Sequence, residues 1–528
     1  MTKTTAPLIL AIDLGTSGPK VALATAQGQI LAAEIGQTEV ILLPGGGAEQ
    51  DPEAWWRAIT ACVQRLLANT AVSPKQITAV CCTSQWSGTV PVDQDGNHLR
   101  NAIIWMDARG APDVHKITGG LLKMEGYGLD KIWRWVRLTG GIPTQSGKDS
   151  IAHILYLKRT QPDLYRNTYK FLEPKDYLNL RLTGQFAASY DSITLHWVTD
   201  NRDIHNVAYD GKLLRIAGLE REKLPDLRRA VDILGPLKPE VAAEWGLSPE
   251  TQVVMGTPDV HSAAIGSGAL RDYEAHLYIG TSSWLTCHVP FKKTDLFHNM
   301  ASLPSAIPGR YLILNEQETA GACLNFLKNN VLYPDDELAR ADIRPDIYAV
   351  FDRMAANVPP GSEKIVFTPW LYGERTPVDD HLTRAGFFNL SLQHTRSHMI
   401  RAVLEGVAYN ACWLLGYVEK FVKRPFPYLN FIGGGANSSV WSQILADVLN
   451  RPIRQMADPI QANARGAAIL GAVGMGYTTF EAAAEQAQVA RVYEPNPANR
   501  AVYDELYGAF LEIYKRNKGI YGRLNKTP

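Results

Sequence analysis

Residues 8–20 read "LILAIDLGTSGPK", and the reading of this stretch decides the fold. An apolar run interrupted by one aspartate predicts a buried strand that delivers Asp13 to a tight turn. In that turn Gly15 and Gly18 let backbone N–H groups approach an anion, Thr16 and Ser17 add hydroxyl donors, and Lys20 adds positive charge. Such a turn can cradle phosphates while Asp13 holds Mg²⁺ through water. Taken alone, it reads more readily as a glycine hairpin turn. The chain goes on through "KVALAT", a turn at "AQGQ" and "ILAAEI", which predicts a meander.

Outward from there, "QDPEAWWRAITACVQRLLANT" predicts a helix with Asp51 as N-cap and Pro52 as its first residue. "ITAVCCTSQ" follows as a second buried strand. Near the midpoint "AHLYIGTSSWLTCHVP" repeats strand, loop and strand. Its Gly280, Thr281 and Ser282 copy Gly15, Thr16 and Ser17 at a distance of 265 positions. A third glycine loop stands in "YLNFIGGGANSSVWSQILADVLNRPI", where Gly434, Gly435 and Ser438 precede a helix whose N-terminus favours an anion or a polar ligand edge. The duplicated loop predicts two related α/β domains facing one another, 1–268 and 269–528, with the boundary in "GALRD". Two facing hydroxyl loops can hold a triphosphate between them. About 110–250 and 290–370 the pattern is irregular and predicts insertions.

The totals narrow the function. Lys plus Arg and Asp plus Glu are both 53, so no global basic field exists for nucleic acid or an anionic membrane. No apolar run approaches the ~20 residues of a membrane helix. The six cysteines form no CxxC pair and lie mostly in apolar segments, which predicts reduced thiols and a cytoplasmic setting. No HExxH motif or Cys/His cluster with zinc spacing is present.

The three loops, in this order, resemble those of the FGGY carbohydrate kinases, which are built on the actin-like, ribonuclease-H-like ATPase fold. "EQDPEAWW", "IIWMDAR", "EPKDYLNLRLTGQFAASYDSITLHW" and "GERTPVDDHLTRAGFFNLSLQHTRSHMIRAVLEGVAYN" also resemble family segments, and the likeness runs from about residue 8 to 475. It implies two such domains with a cleft between them, and transfer of the ATP γ-phosphate to a sugar hydroxyl. It implies Asp13 and Asp259 on the Mg²⁺ side. Thr16, Ser17 and Lys20 meet the outer phosphates, with Gly280, Thr281 and Ser282 opposite. Gly321 and Asn325 of "TAGACLNF", then Gly434, Gly435 and Ser438, line the nucleotide site. The family's catalytic base sits in "GD" with a glycine seven residues on. Asp259 and Gly266 of "GTPDVHSAAIG" keep that spacing, with Pro258 in place of the first glycine. Read without the family, Asp259 is a fair helix N-cap.

The sugar side departs from the pattern. The pentulose-kinase stretch "GQMHG" is here "SQWSG", which puts Trp86 and Ser87 in place of Met and His. Val260 stands where many members have Asn or Gln, and His261 follows it. "PKLLWL" is degraded to "AHILYL", with His153 and Tyr156. Trp105 remains and can pack on a sugar's apolar face. His261 is either a replacement polar contact or a helix-start histidine bonded to backbone. The resemblance implies a ketopentose such as xylulose as acceptor, with ribulose or a glycerol- or erythritol-like polyol as alternatives. A non-transferring nucleotide- and sugar-binding regulator, and a sugar-independent ATPase, stay open. The expected partners are sugar and ATP, with no nucleic acid and no membrane, and a homodimer is admitted.

Overall fold

The computed structural model describes residues 6–525 except 125, 335 and 337–345. Strands β1 (Leu8–Gly15), β2 (Gly18–Thr25) and β3 (Ile30–Ile35) form the antiparallel meander. Helix α1 (Pro52–Ala68) starts where Asp51 accepts the Glu53 N–H at 2.9 Å. Strand β4 (Ile77–Ser84) lies parallel to β1. After a long excursion, β5 (Ile233–Pro236) and β6 (Gln252–Pro258) complete the sheet, in the order β5-β6-β4-β1-β2-β3. Helix α2 (Asp259–Gly266) leaves the end of β6.

The second half builds the same sheet again. Its strands are β7 (Ala275–Ile279), β8 (Ser283–Val289), β9 (Thr294–Asp295), β10 (Met300–Pro304), β11 (Tyr311–Leu314), β12 (Leu429–Ile432), β13 (Ile453–Met456) and β14 (Val489–Tyr493). The helices that matter are α3 (Gly321–Phe326), α4 (Arg396–Val422), α5 (Ser439–Leu449) and α6 (Ala462–Gly474). The order is β9-β10-β11-β8-β7-β12-β13-β14. From β11 to β14 it repeats the first sheet strand for strand, with the same parallel and antiparallel senses. One edge differs: β5 precedes β6 in the chain, whereas β14 follows β13. This is the pair of related α/β domains expected from the twin loops, in the ribonuclease-H-like form that the family resemblance implies.

The two-residue period of β1 sorts its side chains. Leu8, Leu10, Ile12 and Leu14 enter a core with Trp55, Ile59 and Val63 of α1. Ile9 and Ala11 face the other way, under Ala464, Ala467 and Ala468 of α6. A helix from the second half therefore covers a face of the first sheet. Helices α2 and α6, each the continuation of an equivalent strand, cross at glycines. A Cβ on Gly266 would lie 1.8 Å from the Ala462 carbonyl oxygen, and one on Gly466 1.9 Å from that of Ser262. The second domain has its own core, with Trp370, Tyr409 and Phe510 around the 27-residue α4.

The excursion between β4 and β5 carries helices Leu129–Thr139, Ser150–Thr160 and Pro174–Thr183. Trp135, Ile151, Ile154, Leu157 and Leu213 give part of it a separate core, which Leu303 of β10 joins. It is also bonded to the second domain. Lys292 Nζ donates to the carbonyls of Val136 (2.8 Å) and Arg137 (2.6 Å), Thr294 Oγ1 to that of Gly140 (2.6 Å), and the Tyr311 hydroxyl to that of Asn201 (3.0 Å). No described helix is long and apolar enough to cross a membrane.

Candidate active site

In the first loop Gly15 pairs with Gly18, leaving Thr16 and Ser17 as a two-residue hairpin turn. Gly18 has φ +139°, and a Cβ there would lie 2.3 Å from the Gly36 carbonyl oxygen, so the turn needs glycine. Asp13 is buried where β1 ends, and burial raises its pKa against the opposing pull of Lys20 and of a hydrogen bond from Asn463. Lys20 Nζ is 4.0 Å from the Asp13 carboxylate and donates to the Ile460 carbonyl at 2.8 Å. Ser17 is exposed at the tip. Thr16 corrects the expectation of a phosphate-facing hydroxyl. It donates to Gln85 Oε1 (3.1 Å) and accepts the Trp105 indole N–H (2.9 Å). Gln50 closes this network, donating to the Thr16 carbonyl (2.8 Å) and accepting from Gln85 (2.7 Å) and Trp55 (3.2 Å).

The second loop is built differently. Ile279 pairs with Ser283, so Gly280, Thr281 and Ser282 form a three-residue turn. It leans on α3: the N–H groups of Ala320 and Ala322 donate to the Thr281 carbonyl (2.9 and 3.1 Å), and that of Gly321 to the Gly280 carbonyl (2.9 Å). Gly321 thus supports the loop from behind. Thr281 is exposed and Ser282 half-buried. Asn325 is exposed on α3 and accepts the Tyr348 hydroxyl.

The third loop follows β12. Gly434 is exposed, and Gly435 packs on Ile279 and Trp441. Ser438 is the N-cap of α5: its hydroxyl oxygen accepts the Trp441 N–H (2.9 Å) and its O–H donates to Asp352 (2.7 Å). That hydroxyl is committed to the helix start rather than left for a ligand.

Asp259 is the first residue of α2, and Pro258 occupies the cap position. This refines the capping reading, because the carboxylate accepts its neighbour Val260's N–H at 2.8 Å without being the cap itself. Burial first, and then the charge of Asp13, push its pKa up to about 7. The two carboxylates therefore share one site, with Lys20 beside Asp13. A carboxyl poised near neutrality, with a second carboxylate in its field, suits general-base work.

On the sugar side, Trp86 lies edge-on to His261 at 5.1 Å and donates its indole N–H to the Ser192 carbonyl (2.9 Å). Ser87 has φ +63° and donates to the Lys148 carbonyl at 2.6 Å. Glu173 holds this turn from beneath, accepting the Gly88 N–H at 2.9 Å and the Ser150 hydroxyl. His261 is fully buried and bonds the Pro304 carbonyl at 3.1 Å, which favours the backbone-bonded reading over a sugar contact. Val260 is a correction: it packs against the apolar cluster of Trp284, Ile432 and Met456. One helical position separates it from Asp259, and that turns the next side chain about 100° away. His153 is likewise buried, against Thr89 (3.3 Å). Sequence reasoning missed Asn463, Gln50 and Tyr278. The last is half-buried and lies in the fields of both Asp259 and Asp13.

The models of the N- and C-terminal domains of the FGGY family of carbohydrate kinases match residues 8–266 and 275–475. The xylulose kinase of Staphylococcus epidermidis is 28% identical, with 97% of each chain covered. That of Escherichia coli is 30% identical over 88% of this chain and 90% of its own. The crystal structure of gluconate kinase from Lactobacillus acidophilus superposes with a TM-score of 0.84 at 25% identity, covering 98% of this chain and all of the other.

Proposed function

Because the chain belongs to the FGGY family of carbohydrate kinases and is an ATP-dependent sugar kinase, we propose that it phosphorylates a ketopentose, D-xylulose first, with Asp259 as general base. The observation that carries this reading is Asp259 itself: a carboxyl raised to about 7, beside Asp13 and the first phosphate loop. The relatives named xylulose kinase, at 28% and 30% identity, support the choice of sugar.

In this reading Asp259 takes the proton of the acceptor hydroxyl as its oxygen attacks the γ-phosphorus in line, and ADP leaves. The backbone of both loops, Ser17, Lys20 and Thr281 hold the phosphates, Asn463 and Lys20 fix Asp13, and Trp86 and Trp105 offer flat apolar faces to the sugar. The site fits Mg²⁺, since the charge of Asp13 raises the cost of ionising Asp259 and a divalent ion bound by carboxylates plus phosphate oxygens needs no larger protein cage. When bound, Mg²⁺ neutralises charge building on the phosphates.

Coupled ADP release over a panel of ketoses, polyols and aldonates tests the proposal. Turnover stimulated by D-xylulose above the other sugars is expected, and sugar-independent turnover or none would overturn it. Lys148 favours a second reading, an aldonate acceptor. Its carbonyl is the one Ser87 holds, its ammonium lies 6.0 Å from the Tyr372 ring, and among the described residues it donates to no group. A carboxylate-bearing sugar would pair with it, and preference for the aldonates on the panel would decide for that reading.

A further inference from the structure

Tyr278 is two residues before Gly280, as Asp13 is two before Gly15. In β7 the residues Ala275, Leu277 and Ile279 belong to the second domain's core, so strand alternation turns His276 and Tyr278 toward the first domain. Tyr278 is thus the counterpart of Asp13 on the other side of the cleft.

Its ring is held by a stack and its oxygen lies at the loop. It stacks on its cross-strand partner Trp284 with centroids 3.8 Å apart and planes 6° from parallel, and Trp284 donates its indole N–H to His276 at 3.2 Å. A Cβ on Gly433 would come within 3.1 Å of the ring's Cδ2, so the backbone before the third loop also lies close to it. A Cβ on Gly280 would lie 2.4 Å from the phenol oxygen, so that oxygen sits against the backbone of the second loop. Among the described residues the hydroxyl has no hydrogen-bond partner. A ring needed only for packing requires no hydroxyl here, since phenylalanine would stack equally well.

We propose that the Tyr278 hydroxyl donates a hydrogen bond to an oxygen of the phosphoryl group in transit between ATP and the sugar. The inference rests on the kinase reading. Asp259 takes the alcohol proton, the alcohol oxygen forms the new P–O bond as the bond to ADP breaks, and the Tyr278 O–H bond stays intact. The phenol remains neutral through the working range, because burial and the two carboxylates push its pKa up to about 12. A preorganised donor of this kind acts on charge developing in the transition state.

The test is Y278F in the full-length protein, on whichever sugar the wild type turns over. A wild type without sugar-stimulated turnover sinks the kinase reading, not this residue's role. Given an active wild type, Y278F is expected to lower kcat about 100–1,000-fold, as removal of one such donor does. Sugar KM and MgADP affinity should stay within about twofold. The extra affinity that aluminium fluoride lends MgADP plus sugar should fall by a factor similar to kcat, read by calorimetry. Tm should hold, because the stack on Trp284 survives, whereas Y278S should lower it. A kcat within twofold of wild type overturns the proposal. So does a loss in MgADP affinity as large as the loss in kcat, since that marks a contact already made in the ground state.

Discussion

The first and second glycine loops share the letters Gly-Thr-Ser and little else. The first is a two-residue turn locked by Gly18, flanked by the charged Asp13 and Lys20, with its threonine drawn into a network behind it. The second is a three-residue turn leaning on α3, flanked by the neutral, stacked Tyr278, with its threonine exposed. The sheet beneath them has kept its strand order in both halves, while the residues above it have divided the work. In the proposed reading one side handles charge and protons, and the other offers neutral donors.

The sharpest way to break this contrast is to remove the charge. Asp259→Asn should lower kcat about 10³-fold, the middle of the range for a general base, with MgADP affinity nearly unchanged. Turnover close to wild type would take Asp259 out of the role. Next come the loops themselves. Thr281→Val should cost about 100-fold in kcat, and Thr16→Val less, because the Thr16 hydroxyl serves Gln85 and Trp105. Equal losses in steady-state kinetics would mean that the loops act alike.

Backbone chemistry separates them further. Gly18→Ala should destabilise by about 1–3 kcal/mol, having a positive φ and no room. Ser283→Gly, at the end of the second turn, should cost under about 1 kcal/mol. Urea unfolding compares the two directly. The smallest effect concerns pH. The folded pKa of Asp259, about 7, lies above its ordinary value of 3.8, so its ionisation costs stability progressively as pH rises between those values. Asp259→Asn should therefore melt about 1–3 °C above wild type at pH 8, and the gap should shrink toward pH 4. A gap that widens on acidification would contradict the raised pKa. Over the same window the wild-type kcat/KM should fall as pH drops below about 7.

The sequence made the frame of the molecule readable. The apolar alternation of β1, the Asp51-Pro52 helix start and the repeated loop needed no tertiary information, because strand period and caps are local. The spacing of Asp259 and Gly266 was legible only through family likeness; their geometry adds that Gly266 is where α2 meets α6. Other features were hidden for physical reasons. Tyr278 in "AHLYIG" looks like one more core residue until the sheet shows which face it takes. Asn463 and Ser438 act through partners more than 80 positions away in the chain, Asp13 and Asp352. Val260 misled because adjacency in sequence is not adjacency on a helix. The excursion between β4 and β5 looked irregular because its short helices bury their apolar stripes partly against the second domain.

The glycine crossing of α2 and α6 and the bonds from Lys292, Thr294 and Tyr311 to the excursion fasten the two halves at two separate places. Between these fastenings α6 lies along the first sheet and Lys20 reaches the Ile460 carbonyl, so the halves share a broad seam rather than isolated points. A side chain at Gly266 or Gly466 would force that seam apart from within, although neither glycine is assigned to the sugar or to ATP.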